Sequence, residues 1–413
     1  MTYITRSGDV YPVCNRAVFA RPYAEKTRKA ATIPMRANVR RIAASSQIEL
    51  LKAAADRNFR RMREADMLLT FVVTRFAAGS YPMNNYMQKD AKIFVAGHRG
   101  LAGSAIVRKL RSLGYENLVL RTHQEVDLED CSAVSRFFDA ERPEFVFLAA
   151  AKVGGILANR DFPADFISKN LRIQSNVIES AYRSGVSRLL FLGSSCIYPK
   201  LAPQPIGEEQ LLAGPLEFTN RSYAVAKIAG IEMCWAFNRQ YGTKYLAAMP
   251  TNLYGPGDNY DLASSHVLPA LIRKVHEAKQ NAEQTLTVWG SGKPLREFLF
   301  SDDMADACVF LLNLPVEKFE TFIGNPEMAP LVNVGSGSDL TIAELAHTIC
   351  RVLEFGGKIV FDASKPDGTP RKLMDSSKLF GCGWRPKVSL EDGIRVAYAE
   401  FRGMAAAGEM QAR

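Results

Sequence analysis

"KIFVAGHRGLAGSAIVRKL", residues 92–110, joins two patterns in one stretch. "KIFVAG" is a short apolar strand, and "LAGSAIVRKLRSL" (101–113) carries apolar residues at helical spacing. Between them stand glycines at 97, 100 and 103. The first permits a tight turn out of the strand. The second lets the backbone approach a pyrophosphate at the helix N-terminus, where unpaired N–H groups point outward. A strand, a glycine-rich turn and a helix in that order predict the opening unit of a dinucleotide-binding sheet.

The pattern repeats outward from there. "NLVLRT", "FVFLAAA", "RLLFLGSS" and "KYLAAMPTNLYG" read as strands. "CSAVSRFFDA", "ADFISKNLRIQSNVIESAYRSG" and "SYAVAKIAGIEMCWAFNRQYG" read as the helices between them. Near-continuous apolar strands alternating with helices predict an α/β fold, a Rossmann-type doubly wound parallel sheet covered on both faces. After Gly255 the rhythm loosens into loops and shorter elements. Among them is a helix near Thr341, with Glu344 at capping-box spacing. The expected organisation is a basic extension over 1–90, a dinucleotide-binding Rossmann domain over 91–255, and a smaller substrate lobe over 256–413, partly interleaved with it.

The totals narrow the function classes. The 413 residues carry a net charge of +9 and are 47% hydrophobic, so a sizeable core is available. The charge is uneven: residues 1–90 hold 16 Lys/Arg against 7 Asp/Glu, and residues 91–413 hold 36 of each. The body is neutral, which argues against a nucleic-acid partner. "MLLTFVV" (67–73) is too short to span a bilayer, so no membrane partner is expected. Seven scattered cysteines without a C-x-x-C pair point to reduced thiols, against disulfides or a metal centre, and to the cytoplasm. The extension holds one expected helix, opened by Ser46 and Glu49 and carried by Ile48, Leu51, Ala55, Phe59 and Met62. Its Arg-rich, acid-poor start has the composition of an organellar transit peptide, but a tail or a misplaced start is preferred, and no function is assigned to it.

Three groups of residues carry chemistry. The second strand ends "VLRTH", where a nicotinamide dinucleotide lacking a 2′-phosphate would meet an acid. Arg121 and His123 stand there instead, with Arg99 in the glycine turn, and cations at that spot fit NADP. Tyr223 and Lys227 lie four apart on one helix face, so an ammonium near the phenol would lower its pKa. Such a tyrosine can protonate a carbonyl oxygen as hydride reaches its carbon, and Ser194 at a strand end could bond the same oxygen. Cys196 lies two residues on. Hydride transfer needs no thiol, so Cys196 is either a small buried hydrophobe or a second acid–base group. His266, just past the fifth strand, offers the partner that a thiol would need. Sulfur and imidazole on opposite faces of a bound ketose could epimerise carbons flanking the carbonyl through an enol.

Together "AGHRGLAGSAI", "LAAAKVGGI", "FLGSSCIYPK", "YAVAKIAGI", "MPTNLYGP", "VWGSGKPLREF" and "KPDGTPRKLMD" resemble the GDP-L-fucose synthase family over residues 91–400. These are GDP-4-keto-6-deoxy-D-mannose epimerase/reductases among the extended short-chain dehydrogenases, and "VLRTH" is similar to their plant members. The resemblance implies epimerisation at sugar carbons 3 and 5 with Cys196 as base and His266 as acid. NADPH then reduces the 4-keto group, with Tyr223 as proton donor, aided by Lys227 and Ser194. It implies cofactor contacts from Gly97, His98, Arg99, Gly100, Leu101, Ala102 and Gly103, and from Leu192, Gly193, Ser194 and Ser195. Further cofactor contacts map onto Tyr223, Lys227, Pro250, Thr251, Asn252, Leu253 and His266. Substrate contacts map onto Lys274, Trp289, Arg296 and Asp367, and a homodimer is expected. Arg296 and Lys274 suit a diphosphate, and Trp289 offers a stacking face.

This chain departs from the family pattern at "TNRSY" and "DLASSH", and at Phe300, where a histidine is usual. Lys274 stands where an arginine fork is usual. Two alternatives are kept: another nucleotide-sugar epimerase or dehydratase with permanently bound NAD, and a catalytically impaired NADP-binding regulator.

Overall fold

The computed structural model describes residues 86–262, 264–365 and 367–407. The basic stretch before Tyr86, with its expected helix over 46–62, lies outside the described residues. Residues 86–90, read from the sequence as the end of the extension, are packed onto the body. Met87 is fully buried, and its carbonyl accepts from the Tyr115 hydroxyl at 3.2 Å.

In chain order the first half is β1 (Ile93–Ala96), α1 (Leu101–Ser112), β2 (Leu118–Val119), α2 (Cys131–Glu141) and β3 (Phe145–Leu148). It continues with α3 (Ile156–Asp161), α4 (Pro163–Ser184), β4 (Arg188–Leu192), α5 (Arg221–Tyr241), β5 (Tyr245–Pro250) and β6 (Asn252–Tyr254). The second half is α6 (Val267–Gln280), β7 (Thr285–Trp289), β8 (Leu295–Phe300), α7 (Ser301–Leu312), α8 (Val316–Ile323) and β9 (Leu331–Val334). It ends with β10 (Asp339–Thr341), α9 (Ile342–Val352), β11 (Lys358–Asp362), β12 (Arg371–Lys372), α10 (Ser377–Gly381) and α11 (Leu390–Ala406).

The main sheet has the order β2-β1-β3-β4-β5-β9, and every pairing in it is parallel. Residues of β1, β3, β4 and β5 alternate between two cores, as period-2 geometry requires. Ile93, Val95, Phe145, Phe147 and Leu190 join a core completed by α1 and α7. Phe94, Ala96, Val146, Leu148 and Phe191 join another completed by α2, α4 and α5. The strand order reverses between β1 and β3, and the crevice above their carboxyl ends is where ligands bind in such sheets.

Two strands differ from the sequence reading. "NLVLRT" keeps only Leu118 and Val119 in register with β1. "KYLAAMPTNLYG" is two strands. Thr251 breaks it, donating its N–H to Val334 while its hydroxyl bonds the Glu297 carbonyl at 3.1 Å. The chain thereby leaves the main sheet, and β6 pairs with β8 in a second sheet that also holds β10 and β12.

The region after Gly255 is more regular than its sequence implies. α6 runs 14 residues, α7 12 and α11 17. A third core gathers α6, β7, β8, α9 and α11 into a lobe. Thr341 and Glu344 form the full capping box at the start of α9. The lobe and the sheet are interleaved, because β9 returns to complete the main sheet and α7 covers it. Among the described residues no helix is long and apolar enough to cross a membrane.

Candidate active site

The glycine turn sits at the reversal point of the sheet. Gly97 has φ +81°, and a Cβ there would lie 2.7 Å from the backbone nitrogen of Ala150, at the end of β3. A Cβ on Gly103 would lie 2.1 Å from the Gly97 carbonyl, so the helix needs glycine to close onto the turn. Gly100 is different. A Cβ there would meet only the Gly97 carbonyl at 3.6 Å, an ordinary contact. The protein leaves space over Gly100, at an α1 N-terminus with no side-chain cap and no acid in its first turn. His98 adds a buried Nδ1 without a partner. Open amide donors, a bare helix end and an unpaired ring nitrogen fit the pyrophosphate of a dinucleotide.

The cations expected to read a 2′-phosphate are present but engaged. Arg121 bonds Glu141 at 2.5 Å, and His123 lies 3.4 Å from Asp127. The structure brings Arg121 and Arg99 near one another. Glu125 is held below the usual carboxylate range, first by bonds from Thr122, with both arginines contributing. The pKa of His98 is lowered, first by burial and then by Arg99, so Arg99, Glu125 and the Arg121 backbone all lie near its ring.

Ser194, Cys196, Tyr223 and Lys227 converge at the end of β4. The strand gives way to a single 3₁₀ turn, Ser195–Ile197, with Ser194 as its cap; the Ser194 hydroxyl accepts from the Cys196 amide at 3.3 Å. That turn lifts Cys196 clear of the sheet. α5 crosses it and supplies Tyr223 and Lys227 one turn apart. Lys227 is buried and donates to the Leu192 carbonyl at 2.7 Å, with its ammonium 5.9 Å from the Tyr223 ring centroid. Burial pushes Lys227 down to about 7. The phenol departs from the sequence expectation. Its pKa is raised, chiefly by burial and also by Cys196, against the lowering effect of a hydrogen bond with Ser194. Enclosure outweighs the ammonium because Lys227 spends its bond on Leu192. A phenol held protonated can donate a proton.

Cys196 Sγ accepts from the Asn220 amide at 3.2 Å and lies 3.7 Å from the Lys372 ammonium. His266 stands at the N-cap of α6, makes no side-chain cap bond and is exposed. The protein around it pushes its imidazole below the usual value, and Lys372 adds to that shift. Lys372 is therefore a neighbour of both groups. Lys372 and Asn220 escaped the sequence reading. Asn220 had a signal, three residues before Tyr223, whereas Lys372 sits in a basic motif whose placement depends on β12 pairing with β8.

The substrate candidates form two groups. Lys274 on α6 lies 4.9 Å over the Trp289 ring and donates to the Thr287 carbonyl at 3.2 Å. Lys365 approaches the same ring at 5.4 Å, and Trp289 is 51% exposed. Arg296 lies near Asp367 and Cys196, and its pKa is lowered by burial. Asp367 accepts from the amide and hydroxyl of Ser291, at 2.9 and 2.6 Å. Pro250, Thr251, Asn252 and Leu253 bridge the two sheets, and Asn252 Nδ2 donates to the Glu297 carbonyl at 2.7 Å. Phe300 is core, 5% exposed and edge-on to Tyr254 at 5.7 Å. A histidine there would need a buried partner.

Residues 93–323 match the NAD dependent epimerase/dehydratase family. The chain is 61% identical over 312 residues to the putative GDP-L-fucose synthase 2 of Arabidopsis thaliana, spanning 76% of this chain and 92% of that one. With the GDP-L-fucose synthase of Escherichia coli it shares 54% over 311 residues, 75% of this chain and 96% of the relative.

The chain belongs to the GDP-L-fucose synthase family.

Among solved structures, a GDP-L-fucose synthetase from Naegleria fowleri bound to NADP superposes with a TM-score of 0.68 at 28% identity. It covers 78% of this chain and 96% of that one. The match to the NAD dependent epimerase/dehydratase family begins at Ile93, so the basic stretch before Tyr86 lies outside it.

Proposed function

We propose that this chain converts GDP-4-dehydro-6-deoxy-D-mannose to GDP-L-fucose, epimerising sugar carbons 3 and 5 and then reducing the 4-keto group. The observation that carries this reading is the placing of Cys196 and His266 around one cation, Lys372, beside the Ser194–Tyr223–Lys227 set. A plain ketone reductase has no use for the first pair.

The chemistry follows from the groups. A 4-keto carbonyl acidifies the C–H bonds on both flanking carbons. Tyr223 and Ser194 hydrogen-bond its oxygen and stabilise the enol that forms when a proton leaves. Cys196 removes that proton from one face, and His266 returns one to the other, inverting the carbon; solvent then takes the proton from Cys196 and reprotonates His266, and a second round inverts the second carbon. NADP, in its reduced form, supplies the hydride when bound over the glycine turn. Tyr223 protonates the carbonyl oxygen as the alcohol forms. Lys227, adjacent and buried, favours the phenolate left behind. Arg296 and Lys274 hold the diphosphate, and Trp289 stacks on the base or sugar.

Residues 91–255 act as the NADP-binding domain and 256–413 as the substrate lobe, interleaved through β9. A homodimer is supported by an aromatic patch on α4 and α5. There Tyr182 and Tyr241 stack at 4.2 Å and are 37% and 45% exposed. A cytoplasmic location is supported by the free thiols of the described cysteines.

The test is an assay with GDP-4-dehydro-6-deoxy-D-mannose and NADPH. Stoichiometric NADPH oxidation supports the reading. Turnover without net NADPH consumption would point instead to an epimerase with permanently bound NAD. Tight NADPH binding without turnover would point to a regulator.

A further inference from the structure

β8 and β12 run parallel with Lys372 in register with Arg296, so the two side chains leave the sheet on the same face. Three cations line the depression that holds Cys196: Lys200, Arg371 and Lys372. Lys200 is held by Glu217 at 2.8 Å, and Arg371 by Asp339 at 2.6 Å. Among the described residues no carboxylate pairs with Lys372. Its ammonium lies 3.7 Å from the thiol, on which Asn220 also converges at 3.2 Å. The cation left uncompensated is the one aimed at the sulfur.

We propose that Lys372 is a positioning residue for the epimerisation, whose ammonium balances negative charge on the sulfur of Cys196. This rests on the reading of Cys196 as the base. The thiolate takes a proton from the sugar carbon and becomes a thiol. The C–H electron pair passes into the enolate, whose oxygen Tyr223 and Ser194 bond. Lys372 keeps its own protons throughout.

The full-length enzyme and its Lys372→Met and Lys372→Arg variants are alkylated with iodoacetamide from pH 5 to 10. The peptide carrying Cys196 is followed by mass spectrometry, which separates it from the exposed Cys131. Lys372→Met should move the alkylation midpoint of Cys196 up by about 1–2 pH units, as for a charge lost within hydrogen-bonding range. Lys372→Arg should bring it back. In deuterium oxide, exchange at sugar carbons 3 and 5 should slow in Lys372→Met by roughly 10–100-fold in kcat, the factor that a shift of 1–2 pH units corresponds to, with a smaller change in KM. An unmoved midpoint in Lys372→Met, or no return with arginine, overturns the proposal. If Lys372→Met does not fold, Lys372→Gln carries the same expectations. A parent enzyme that exchanges neither carbon overturns the reading of Cys196 itself, and the alkylation series still reports whether lysine and thiol are coupled.

Discussion

The Lys227 ammonium lies 5.9 Å from the ring centroid of Tyr223 and spends its hydrogen bond on the Leu192 carbonyl at 2.7 Å. The two residues are one helical turn apart, yet burial governs both: it raises the phenol and lowers the amine to about 7. In this state the phenol holds its proton and the amine gives its proton up easily. That is the arrangement required to deliver a proton to a carbonyl oxygen and then receive one.

Tyr223→Phe removes the donor and leaves the thiol and imidazole in place. Reduction should fall by roughly 10²–10⁴-fold, the usual contribution of a general acid. Deuterium exchange at sugar carbons 3 and 5, read by NMR, should persist at a reduced rate. Loss of exchange and reduction to the same extent would mean that the two reactions do not have separable groups.

Cys196→Ser should do the reverse. Epimerisation of the natural substrate should drop by roughly 10²–10⁴-fold, because a hydroxyl is a far weaker base than a thiolate. A keto-sugar already inverted at both carbons should still be reduced. Turnover of the natural substrate at the parent rate would remove Cys196 from the mechanism.

Gly100 and Gly103 should part company. Alanine at 103 would press on the Gly97 backbone from 2.1 Å, and overpacking of that kind costs about 1–3 kcal/mol. Its melting temperature should fall. Alanine at 100 meets nothing closer than 3.6 Å, so its melting temperature should hold while the Kd for NADPH rises. Unchanged NADPH affinity in Gly100→Ala would place the pyrophosphate elsewhere.

Lys227 also makes stability depend on pH. Its value in the folded chain, about 7, lies below that of an unfolded lysine, so between about pH 7 and 10 the unfolded chain binds the extra proton. Stability from this group therefore rises with pH through that window, by up to about 1.4 kcal/mol per unit, and is lowest below it. Lys227→Met lacks the dependence. The difference in melting temperature, variant minus parent, should shrink between pH 6.5 and 9.5. A difference that grows or stays flat would contradict the buried amine.

Much of this was legible in the sequence, and the exceptions have physical causes. The glycine turn was readable because strand, turn and helix are contiguous there, and the Thr341–Glu344 cap because its partners are three residues apart. The break at Thr251 was not, since it depends on bonds to Val334 and Glu297, far along the chain. α6 carries Pro269 in its first turn, where a proline forfeits no helical bond. α11 carries Gly393 near its start. That glycine is there because a Cβ would lie 2.3 Å from the Tyr254 hydroxyl. Lys372 was invisible for the same reason as Thr251: only the pairing of β12 with β8 brings it to Cys196, 176 residues away in sequence.

The central claim is that sulfur and imidazole invert two carbons before the ketone is reduced. Turnover of GDP-4-dehydro-6-deoxy-D-mannose with NADPH in deuterium oxide tests it most directly, with the product resolved by NMR. The account predicts GDP-L-fucose carrying deuterium at carbons 3 and 5. A reduced sugar that keeps protium and the starting configuration at both carbons would contradict it.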